Sequence, residues 1–91
     1  MNRCPVSEQA FVDAYVRANS GRDGLDLAQL KQLGRDEYTM STGLTGAPTM
    51  LLGQYMPTAR GQRAMEYLVY GPYGQHLTPH PAPAPQTTAP Q

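Results

Sequence analysis

Apolar residues recur at helical spacing near the start of the chain. Phe11, Ala14, Tyr15 and Ala18 share one side of a helix, with Val12 and Val16 widening the arc. Ser7 supplies an N-cap hydroxyl and Glu8 a first-turn carboxylate, while Asp13 and Arg17 form an i,i+4 pair on the opposite side. Asn19-Ser20-Gly21 has C-cap chemistry, so the pattern predicts a first helix over Glu8–Asn19. Arg22-Asp23-Gly24 reads as a turn. Asp26 and Gln29 then complete a capping box, with Leu25 as the staple before it. Leu27, Leu30 and Leu33 form one stripe, and Gly34 stops a short second helix over 27–33. A third helix begins at Pro57-Thr58, sets Ala64, Met65, Leu68 and Val69 facing one way, and ends at Gly71-Pro72.

Between the second and third helices the periodicity is weaker. Glu37 to Thr42 has strand-like composition without a pairing partner in the chain. Gly43, Gly46 and Pro48 read as a loop, and Pro48 to Leu52 as a short helix with proline at its first position. Beyond Gly71 the alternation Pro81-Ala82-Pro83-Ala84-Pro85 favours extended polyproline II. The expected architecture is a mainly α, three- to four-helix domain over 7–71, interrupted by an irregular uncharged middle. A short arm, 1–6, precedes it, and an extended Pro/Ala-rich tail, 72–91, follows.

Charge sharpens this division. The seven basic and seven acidic residues all lie between Arg3 and Glu37 or between Arg60 and Glu66, leaving 38–59 and 67–91 with none. Soluble surfaces ordinarily carry charges throughout, so these neutral blocks suit contact with another molecule. Net charge is zero, which supplies no field to gather nucleic acid or an anionic membrane. No apolar run approaches the roughly 20 residues of a membrane span. The N-terminus lacks the apolar core of a secretory signal, and the lone Cys4 allows no internal disulfide. A cytoplasmic or virion-borne protein is the expectation.

Candidate chemistry is sparse. His76 and His80 have helical ligand spacing, but Pro79 and Pro81 oppose a helix there, and with Cys4 they fall short of a closed zinc site. Gly43 to Thr49 lacks the Lys-Ser/Thr ending of a phosphate-binding loop. Asp36 and Glu37, adjacent in sequence, do not form an acid/base pair, and no serine has a nucleophile-elbow context. Hence no catalytic residue, cofactor, metal or small-molecule substrate is expected. Helices one and two resemble the scaffold of a helix-turn-helix, yet the segment after them, Tyr38-Thr39-Met40-Ser41-Thr42-Gly43, lacks side chains that read base edges. An αα-hairpin is the simpler account.

The aromatic residues point elsewhere. Six tyrosines accompany one phenylalanine and no tryptophan, and tyrosine joins a broad apolar face to a polar tip, as interfaces favour. Tyr55, Tyr70, Pro72, Tyr73, His76, Pro81, Pro83 and Pro85 are therefore the expected partner-binding residues, with Met40, Met50 and Met56 as adaptable contact surface. The leading expectation is a non-enzymatic subunit that docks on a larger protein assembly, with a capsid-associated or cement protein of a phage as one such case. The alternatives are a small helix-turn-helix regulator contacting DNA through Arg17, Arg22, Lys31, Arg35, Arg60 and Arg63, and a protein inhibitor of a host enzyme.

Overall fold

The side chain of Ser7 accepts the backbone N–H of Ala10 and opens α1, Glu8–Asn19, the helix on which the rest of the molecule is built. In this computed structural model, which describes residues 4–46 and 48–71, the order is β1 (Pro5–Val6), α1, α2 (Leu27–Thr45), β2 (Met50–Leu51) and α3 (Ala59–Tyr70). Asp26 and Gln29 form both bonds of the capping box at the start of α2, at 2.8 and 2.9 Å. Thr58 caps α3 by accepting the Gly61 N–H at 2.9 Å.

Helices α2 and α3 each pack along α1, so the core gathers around one row of its side chains. Phe11 and Tyr15 are fully buried there with Leu30 from α2, Ala64 and Met65 from α3, and Met50 and Met56 from the connecting segment. Burying an apolar side chain of this size stabilises by about 1.5–3 kcal/mol before entropy is counted. Phe11 stacks at tilted angles on Tyr15 and Tyr38, with ring centroids 5.8 and 6.0 Å apart. A two-strand antiparallel ladder closes the open side, pairing Pro5 with Leu51 and Val6 with Met50. Tyr38 fastens it to α2 by donating its hydroxyl to the Val6 carbonyl at 2.8 Å.

Several expectations are corrected here, the loop at Gly43 among them, since Gly43 lies inside α2. Gly34 does not end α2. It sits inside a 19-residue helix, where a Cβ would meet the Tyr15 ring at 3.2 Å, so its missing side chain serves the close crossing of α1 and α2. The cap is Gly46, in the left-handed conformation at φ 72°. The strand-like stretch from Glu37 to Thr42 is accordingly helical, and Pro48 to Leu52 forms no helix: Met50–Leu51 is β2. Leu27 also leaves its expected stripe and stands outward, while Leu30 is buried and Leu33 half-buried.

Candidate functional site

Polar side chains from all three helices converge at the N-terminus of α3. The Thr58 hydroxyl donates to the Glu37 carboxylate, with its oxygen 2.6 and 2.8 Å from the two carboxylate oxygens, and also accepts from Gly61. The Thr58 backbone N–H faces the same carboxylate. Glu37 thus caps α3 from outside the helix, where the positive end of the helix dipole favours an anion. Gly61 makes the approach possible: a Cβ there would lie within 3.0 Å of Glu37 Oε1 and closer still to Oε2.

Burial pushes the Glu37 carboxyl above the ordinary carboxylate value, against the opposing pull of Thr58, Arg60 and Tyr15. The Tyr15 hydroxyl faces both Glu37 and Arg60, and burial, with the Glu37 charge second, pushes it up to about 12. The hydroxyl–carboxylate pair of Thr58 and Glu37 has the geometry of a nucleophile and its base. Here, however, the hydroxyl is engaged as an N-cap and Gly61 backbone closes over the carboxylate, so the pair holds α2 to α3.

A second convergence lies one turn away. Asn19, the last residue of α1, has no exposed surface. Its Nδ2 donates to the carbonyls of Tyr15 and Arg60 at 2.9 and 3.1 Å, and its Oδ1 accepts from Arg63 Nη1 at 2.9 Å. Asp23, held at φ 60°, accepts from Arg60 Nε at 3.0 Å. Burial lowers the tendency of Arg63 to hold its proton, and the neighbouring charge of Arg22 adds to this. The cations of the DNA-binding alternative therefore divide. Arg22, Arg60 and Arg63 cluster around Asn19, whereas Arg35 lies on the exposed side of α2, bonded to Gln32, which is itself bonded to Asp36.

The outer surface carries large apolar side chains. Met40 and Leu44, one turn apart near the end of α2, are 55% and 74% exposed. Val69 and Tyr70 end α3, Tyr55 stands in the loop before it, and all three are exposed as well. Of the residues expected to bind a partner, Tyr55 and Tyr70 are thus at the surface, and neither joins the aromatic contacts of the core. Pro72, Tyr73, His76, Pro81, Pro83 and Pro85 lie outside the described residues. Met50 and Met56 are core residues, which leaves Met40 as the exposed member of that expected contact set. Cys4 is exposed, and no helix among the described residues is long and apolar enough to cross a membrane.

Sequence reasoning missed Glu37, Asn19 and Gly61. The signal for Asn19 was its place in the i,i+4 row Phe11, Tyr15, Asn19, which puts it on the buried face of α1. Compared with family models, curated proteins and solved structures, the chain matches none.

Proposed function

We propose that the protein is a non-enzymatic interaction subunit that docks on a larger protein assembly. The observation that carries this reading is the apolar surface of the uncharged stretch, with Met40 and Leu44 side by side on α2 and Tyr55 beyond β2. Isolated apolar residues are ordinary on a small domain, but an i,i+4 pair in a segment without a single charge presents adjoining apolar area to a partner. Val69 and Tyr70 add to it where α3 leads into the Pro-rich 72–91 segment. A chain that lays a Pro-rich arm on a neighbour gains contact area from few residues, at an ordering cost that a stable assembly offsets. A minor or cement-type protein of a phage capsid fits this economy of size.

The test is nuclease-treated affinity capture from the native source, comparing the full chain with one truncated after Gln75. The expected result is one large protein partner at fixed stoichiometry, reduced or lost on truncation. Partner material recovered only when the nuclease is omitted would overturn the reading and favour a DNA-contacting regulator.

A further inference from the structure

Gly43 lies inside α2 without serving a contact of its own fold. The Tyr15 ring accounts for Gly34 and the Glu37 carboxylate for Gly61, but a Cβ at Gly43 would meet nothing within 4 Å. Glycine weakens a helix interior through its backbone entropy, so this position costs α2 stability and gains no packing within the chain. Its neighbours give the missing side chain a use. Among the described positions of α2 beyond Glu37, the exposed ones are Thr39, Met40, Gly43 and Leu44. They form two adjacent i,i+4 rows. Met40 and Leu44, 55% and 74% exposed, make an apolar ridge, and Thr39 with Gly43 makes a groove beside it. Packed helices interdigitate through rows of this kind, the ridge of one entering the groove of the other.

We infer that this face of α2 pairs with the same face of a second copy, each Met40–Leu44 ridge seated in the Thr39–Gly43 groove of the other. The pairing rests on the apolar surface of the interaction-subunit reading above and names the first occupant of that surface. A ridge and a groove of equal length on one face are complementary to themselves, as a two-fold interface requires. Charge favours a copy as well. Near a two-fold axis each residue meets its own counterpart, so a charged side chain there would face its like. The stretch 38–59 has no charge and the chain has none net, so two copies approach without repulsion. The nearest exposed charges, Arg35 and Asp36, lie a turn earlier and are both engaged with Gln32. Area sets the strength. Two turns of one helix cover less than the roughly 800 Å² per partner of a stable complex, so the pair is weak alone. It strengthens when both copies hold one assembly, because every other contact is then made twice.

The experiment is sedimentation equilibrium of the full chain from about 10 µM to about 1 mM, with NMR of the isotope-labelled chain over the same dilution. The expected result is a monomer–dimer equilibrium with a Kd on the order of 100 µM, little changed by salt, and concentration-dependent amide shifts centred on 39–44. Gly43→Gln fills the groove with a good helix former. It is expected to melt no lower than the wild type at the dilute end, yet to dimerise about tenfold more weakly or worse. A purely structural glycine would not separate the two readouts. A chain still monomeric at about 1 mM, shifts centred on Val69 and Tyr70 instead, or Gly43→Gln dimerising as the wild type would each overturn the pairing. A monomeric chain that nonetheless captures a large protein partner would remove the pairing and leave the interaction-subunit reading intact. A chain that dimerises through 39–44 but captures no other protein would remove the docking reading and keep the pairing.

Discussion

Glu37 shows how one buried carboxyl couples packing to pH. Its folded-state affinity for a proton is raised above that of the unfolded chain, chiefly by burial. Folding is therefore favoured by protonation. The stabilisation from this group is complete below the unfolded carboxylate value and fades as pH rises through the higher folded one. Urea unfolding at several pH values between 4 and 8 is expected to show Glu37→Gln gaining on the wild type as pH rises, because the amide still accepts from Thr58 without a charge to desolvate. A difference that stays constant with pH would contradict the assignment. Asn19 is the other residue on which much converges. Asn19→Ala removes its bonds to Tyr15, Arg60 and Arg63 and is expected to cost about 3 kcal/mol in the same unfolding measurement, against about 0.5 kcal/mol for an exposed substitution such as Gln9→Ala.

At the scale of elements, α2 separates the roles of glycine in a helix. Gly43 has nothing within 4 Å of a would-be Cβ, so Gly43→Ala should gain the ordinary helix-propensity difference of about 0.5–1 kcal/mol. Gly34→Ala gains the same term but presses on the Tyr15 ring, and is expected to lose about 1–2 kcal/mol net; thermal melts of the two variants should move in opposite directions. In α3, Gly61→Ala drives a methyl into the Glu37 carboxylate and should cost about 2–3 kcal/mol despite improved propensity. These positions also explain what the sequence conveyed. Helices α1 and α3 were legible to their ends because Ser7, Thr58 and Gly71 are strong local stop and start signals and the buried faces are apolar. The second half of α2 was hidden because its inward row continues from Leu30 through Gly34, Glu37, Tyr38 and Ser41, a helical repeat written in residues that do not look like a core. The cluster on Asn19 was hidden for a related reason: a residue with C-cap chemistry turns inward, and its partners lie about forty residues away in sequence.

At the scale of the whole molecule, the uncharged segments divide between inside and outside. Met50 and Met56 complete the core, and Met40, Leu44 and Tyr55 are left facing outward in the same stretch. A few charged residues sit instead where the helices meet: Glu37 ties α2 to the start of α3, and Arg63 ties α3 to Asn19 of α1. The molecule thus joins a polar lock at the start of α3 to an apolar outer surface, and the functional account depends on the second. Met40→Ser with Leu44→Ser tests it most directly, because both side chains are exposed and their loss removes partner area without touching the core. In nuclease-treated affinity capture, the double variant is expected to melt within a few degrees of the wild type and to recover the protein partner at no more than about a tenth of the wild-type yield. Wild-type yield from a normally folded double variant would contradict the account.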